Sequence, residues 1–537
     1  MPHPDAPRQA EIHRLMSAAS VAYGQGDHGA ATRAAIQVLA LQADQPDALH
    51  LLGLCRMAAG DLSQAIASMA RAAALKPADA GLQHNLGVAL ADSGAKLEAR
   101  EAFARAAALD PRRPESQFNL GVTSEETGAA EAAEAAYRRC LALAPEHVAA
   151  AAGLASLQEQ RSELEEAGRW CETALKHAPT DPVARLTHAQ LRFRAGELEP
   201  AASELESLRQ EVLTPRNRAL VTGRLGALYD RLGRAQDAWR MYLEAKTALH
   251  ETLAAGTGEG PYSFPVAARS ARYLGRLLVA PTEDGPDSPV FLVGFPRSGT
   301  TLLDQILSGH PEVTVLEEQD TLQDFLARYA LRDSGMEALL SASSTELAAD
   351  RQRYWQRVDA YLAGRPRRRV FVDKLPLNTL FVPHLKRLFP AARFVFSLRD
   401  PRDVVLSCFM QSFVLNEAMR HFLSLEETAE FYAAVMEVGR RSFAAMPKAV
   451  FTLRYEDLLE DTEGRARALL EFLELPWDQA VLDYQATAKG RRINTPSYHQ
   501  VARPLYKEAR ERWRRYAEEL APVMDSLQPF VEAFGYK

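Results

Sequence analysis

A chain of 537 residues is too long for one hydrophobic core, so at least two domains are expected. Its 63 Lys and Arg against 70 Asp and Glu, net −7, exclude the polycation that would hold a nucleic acid by counterion release. No apolar run approaches the roughly 18 residues of a membrane span. The opening MPHPDAPRQAEIHRLM lacks the apolar core of a secretory signal, and Cys55, Cys140, Cys171 and Cys408 show no ligand spacing. The expectation is a soluble, cytoplasmic protein with no metal, no disulfide, no nucleic acid and no membrane among its partners.

Residues 9–250 come first. Gly26, Gly60, Gly94 and Gly128 fall 34 residues apart, and Gly196 keeps the phase after Ser162. Pro77, Pro111, Pro145 and Pro179 share the period, as do Met69, Phe103, Tyr137 and Cys171. Each unit reads as a helix reaching Leu-Gly or Leu-Ala (Leu52-Gly53, Leu86-Gly87, Leu120-Gly121, Leu154-Ala155), a glycine turn, and an alanine-rich helix that proline stops. Small residues at Gly53, Gly87 and Gly121 and at Ala65, Ala99 and Ala133 let the two helices approach closely. Beyond Gly196 a longer spacer intervenes, and Leu225-Gly226 with Gly233 and Ala238 restarts the pattern out of phase. These residues resemble the tetratricopeptide repeat (TPR), well over 9–179 and more weakly to about residue 249. The resemblance implies a helical superhelix whose groove binds a protein or peptide, or an array that only packs or self-associates into a homo-oligomer.

Residues 251–287 are rich in Gly and Pro, with a short helix between, and read as a linker into a domain at 288–537. In SPVFLVGFPRSGTTLLDQILSGHPEV, Val290 to Val293 is an apolar strand and Thr300 to Leu307 the helix after it. Between them, Gly294-x-x-x-x-Gly299-Thr300-Thr301 has phosphate-loop spacing, with glycines for close backbone approach and helix-start amides facing an anion. Thr300 stands where nucleotide triphosphatases carry the lysine for the β- and γ-phosphates. The cation is instead Arg297, inside the loop, suited to a shorter donor with a charged end. Further strands are expected near Val370 and Phe394, running parallel to the first.

The segment PRSGTT resembles the 5′-phosphosulfate loop of sulfotransferases, and its surroundings resemble the tyrosylprotein branch. RFVFSLRDPRDVVLSCF is similar to the signature that binds the 3′-phosphate of the donor PAPS, which leaves as PAP. The resemblance implies a three-layer, P-loop-like α/β domain behind the α-helical repeats, and transfer of sulfate to a hydroxyl, a tyrosine of a protein or peptide recruited by the repeats. It implies Arg297, Ser298, Gly299, Thr300 and Thr301 at the 5′ end of the donor, and Arg399, Ser407 and Arg512 at the 3′-phosphate. Tyr455 would lie by the adenosine, Glu318 would be the base, and Arg297, Lys374 and Ser497 would serve the leaving oxygen. No metal is required. The secreted tyrosylprotein enzymes carry a membrane anchor and disulfides, whereas the matching positions here include Leu316 and Asp373. A small-molecule or carbohydrate acceptor, a kinase built on the same loop, and an inactive repeat scaffold are the competing readings.

Overall fold

The computed structural model describes residues 6–211, 213–253, 262–279, 288–362, 364–413, 415–483 and 510–537. They form two compact units, Met1–Leu208 and Arg209–Lys537.

The first unit is a run of helix pairs: Ala6–Gly24 with His28–Leu41, Pro46–Ala58 with Leu62–Leu75, Ala80–Asp92 with Lys96–Leu109, and onward to Pro182–Ala195 with Leu198–Arg209. Two devices repeat. The turn glycines Gly26, Gly60, Gly94 and Gly128 have φ between +79° and +84°, where a Cβ would strain the backbone. Gly53, Gly87 and Gly121 lie under Met69, Phe103 and Tyr137; a Cβ there would come within 2.6, 2.8 and 2.5 Å of those side chains. The bulky residue of the second helix thus fits a notch in the first. The second helices end at Leu75, Leu109, Leu143 and His177, two residues before the periodic prolines.

The second unit opens with one more pair, Pro215–Arg231 and Ala235–His250. It uses both devices, Gly233 at φ +75° and Gly226 under Tyr242. The helix Phe264–Leu277 follows, then a five-stranded sheet: β1 (Val290–Gly294), β2 (Val313–Glu317), β3 (Val370–Lys374), β4 (Arg393–Leu398) and β5 (Val450–Arg454). The order is β2-β3-β1-β4-β5, and every pairing is parallel. All strands therefore end at one edge. The chain crosses from one side of β1 to the other there, the place where open parallel sheets bind ligands.

Helices cover both faces. On one, Leu302, Leu303 and Ile306 of the helix Thr300–Ser308 pack with Leu469 and Leu470 against Leu292, Val372 and Val395. On the other, Phe291 and Phe394 stack, and Phe443 of the helix Leu425–Ala445 meets Phe396 at 4.6 Å. No helix among the described residues is long and apolar enough to cross a membrane.

Candidate active site

The chain leaves β1 at Gly294 and enters the helix at Thr300 through a loop whose carbonyls are taken by neighbouring side chains. Thr379 Oγ1 donates to the Gly294 carbonyl at 2.6 Å and Ser397 Oγ to that of Ser298 at 2.9 Å, while Cys408 Sγ lies 3.2 Å from that of Pro296. Arg297 is left-handed at φ +71°, an uncommon cost for a residue with a Cβ. Gly299, at φ +100°, lets the Tyr455 ring close in; a Cβ would stand 2.6 Å from Tyr455 Cδ2. No side chain caps the helix, and the first amides of a helix have no partner within it, so Thr300 and Thr301 stand at an anion-seeking end. Beside them Ser298 Oγ is buried with no hydrogen-bond partner among the described residues. This lining suits a bound phosphosulfate.

The loop meets the segment after β4. Arg297 Nε donates to Ser407 Oγ at 3.0 Å, joining residues 110 apart in sequence. Arg399 Nη1 donates to the Arg297 carbonyl at 3.2 Å, and its guanidinium lies 5.3 Å from the centre of the Tyr455 ring. Burial, reinforced by the charges of Arg399 and Arg512, lowers the Arg297 pKa to about 10. Three guanidiniums thus converge, a field that a multiply charged phosphate ester would relieve. Asp400 takes Arg402 as its partner, at 2.6 Å, while Arg399 Nη2 stands 3.8 Å from Asp403. Sequence reasoning gave Asp403 no part in the site. It accepts the amides of Glu511 and Trp513 at 2.9 and 2.8 Å, fixing the segment that carries Arg512, and burial pushes its carboxyl up to about 6.

The second cluster lies at the ends of β2 and β3. Glu317 and Lys374 are register partners, and the Glu318 amide donates to the Lys374 carbonyl at 2.8 Å, with Glu318 at φ +47°. Lys374 Nζ, fully buried, donates to Glu318 Oε1 at 2.8 Å and Glu317 Oε1 at 3.1 Å. Burial alone would lower the lysine pKa, but the two carboxylates outweigh it and raise it, so the ammonium is charged at neutral pH. Burial raises the Glu317 pKa against the pull of Lys374. Asp304, on the helix after the loop, is close enough to act on both. Glu317 is thus the second partner of Lys374, a role that adjacent glutamates in the sequence do not disclose. Ser497 lies outside the described residues.

Beneath Lys374, the buried Asp373 Oδ2 accepts Thr321 Oγ1 at 2.8 Å and the Tyr354 hydroxyl at 2.9 Å. Burial outweighs both bonds and lifts its pKa to about 6. A carboxyl held up in this way stabilises the fold below the ordinary Asp value, and that contribution is lost as pH rises through about 6. Asp373→Asn keeps an acceptor and removes the buried charge. Its unfolding free energy should exceed the unsubstituted protein's at pH 8 by about 2–3 kcal/mol and converge with it near pH 4, read by thermal unfolding at each pH.

Residues 289–479 match the model of the Sulfotransferase family, and 16–80, 84–145 and 128–182 that of the Tetratricopeptide repeat. An uncharacterized protein of Aquifex aeolicus (strain VF5) is 34% identical over 252 residues, 45% of this chain but only 32% of that protein. Protein-tyrosine sulfotransferase A of Caenorhabditis elegans is 26% identical over 260 residues, 46% of this chain and 67% of that one. Protein-tyrosine sulfotransferase 2 of Gallus gallus is 28% identical over 264 residues, 46% and 69% respectively. Residues 289–479 are thus a sulfotransferase domain, with tetratricopeptide repeats ahead of it.

Proposed function

We propose that the second unit moves a sulfuryl group from PAPS to the hydroxyl of a protein or peptide tyrosine, in a cytoplasmic setting, and that the groove of the repeats recruits the acceptor. PAPS supplies a sulfuryl group on a good leaving phosphate. Arg297 and the amides from Ser298 to Thr301 hold its 5′ end; Arg399, Ser407 and Arg512 hold the 3′-phosphate, with Tyr455 by the adenosine. Glu318 takes the proton from the acceptor hydroxyl as the new O–S bond forms. The old S–O bond breaks and its electron pair stays on the phosphate oxygen of PAP. There Lys374, with two of its three N–H bonds spent on Glu317 and Glu318, offers the third, and Ser497 assists.

The Arg297–Ser407 contact supports this reading most strongly, since it joins the two segments expected to grip the nucleotide. The names of the nematode and avian relatives favour tyrosine. Calorimetry with PAP, ADP and ATP tests the donor. PAP should bind tightest, and Arg399→Ala should weaken it about 10- to 100-fold, the worth of a charged hydrogen bond. Tighter binding of ATP would turn the reading toward a kinase. Transfer of labelled sulfate from PAPS to tyrosine peptides, set against phenols and sugars, tests the acceptor.

A further inference from the structure

The pair Pro215–Arg231 and Ala235–His250 is built like a repeat yet belongs to the unit of the sheet. It touches both segments assigned above to the 3′-phosphate. On the side of the Ser407 helix, Trp239 packs on Phe409 at 4.9 Å, Lys246 Nζ donates to the Gln411 carbonyl at 2.8 Å, and a Cβ on Gly223 would strike Ser412 Oγ at 2.5 Å. On the side of Arg512, the carboxylate of Asp230 is a hub. It pairs with Arg512 Nη2 at 2.9 Å and Arg515 Nη2 at 3.3 Å, and accepts the Tyr516 hydroxyl at 2.6 Å. Tyr242, the residue seated over Gly226, places its hydroxyl 3.5 Å from the same Arg512 Nη2.

Asp230 is 8% exposed and surrounded by these donors, so removing one of them leaves a buried polar group short of a partner. A guanidinium is a rigid planar fork, and fixing one end of it aims the rest. Arg512 Nη2 is spent on Asp230 and Tyr242, while Nε is buried with no hydrogen-bond partner among the described residues. The Arg512 charge is felt at Arg297, in the phosphate loop. Resting on the function proposed above, we infer that Asp230, on a helix packed like those of the repeats, is a positioning residue for the donor's 3′-phosphate and acts through Arg512.

In the full-length protein, calorimetry would compare PAP with adenosine 5′-phosphate, which lacks the 3′-phosphate. Asp230→Asn should weaken PAP roughly tenfold or more and leave adenosine 5′-phosphate unchanged. Arg512→Ala should lose as much, and the double variant no more than Arg512→Ala alone. Arg515→Ala, which shares the Asp230 carboxylate but is assigned no contact with the nucleotide, should bind PAP normally. Equal losses for both nucleotides, or additive losses in the double variant, would overturn the inference. If Asp230→Asn does not fold, Arg512→Lys keeps the charge without the fork; unchanged PAP affinity in that variant would overturn it too. A wild-type chain that binds no PAP would instead sink the proposed function itself, and this inference with it.

Discussion

Replacing Glu318 with alanine should lower kcat by about 10²- to 10⁴-fold, the usual worth of a general base, while PAP binds as before. The split follows from geometry. Glu318 sits at the end of β2, held at φ +47° with its amide on the Lys374 carbonyl, whereas the proposed anion site lies between the loop after β1 and the helix after β4. Losing the carboxylate removes a proton acceptor and one of two partners of Lys374, and touches neither the loop after β1 nor the residues assigned to the 3′-phosphate and the adenosine. Single-turnover transfer from PAPS and calorimetry with PAP check the two halves. Normal turnover in the variant would refute the assignment of the base.

Replacing Lys374 with alanine should be as severe for a different reason. Turnover should fall about 10²- to 10³-fold, the effect of removing a preorganised donor from developing negative charge. The fold should weaken too, by about 3–5 kcal/mol, because breaking a buried pair strands its partner, here Glu317. Adding Glu317→Gln removes the stranded charge, so the double variant should regain most of the stability and none of the turnover. Urea unfolding beside sulfate transfer separates the effects. Recovery of both together would mean that Lys374 only holds the strands in place.

The repeat half could be read almost residue by residue because its devices are local. A glycine in a left-handed turn and a glycine under a bulky residue each leave a mark at fixed spacing, and Gly226 with Tyr242 kept that mark after the phase had slipped. In the second unit, the strands beginning at Val290, Val370 and Arg393 are buried along nearly their whole length and stand out as apolar runs. β2 and β5, at the two margins of the sheet, are only partly buried and mix polar residues into short segments, and neither was foreseen as a strand. That the loop of Arg297 and the helix of Ser407 lie at one edge follows from the parallel strands before them, but the direct bond between the two side chains was not foreseen. The anchor of Arg512 was not. Asp230 lies 286 residues before Tyr516, its partner, inside a segment whose pattern speaks only of repeat packing.

Leu316 and Asp373, two positions at which the tyrosylprotein resemblance would place cysteine, face each other in register on β2 and β3. A carboxyl hydrogen-bonded to Thr321 and Tyr354 occupies that place. All four cysteines are buried and free, and burial pushes the Cys408 thiol, beside the pocket, up to about 12. Exchange between thiols and disulfides needs an accessible thiolate. At the ends of β2 and β3 a hydrogen-bonded carboxyl therefore stands where a disulfide would, and the buried thiols offer no accessible thiolate for exchange.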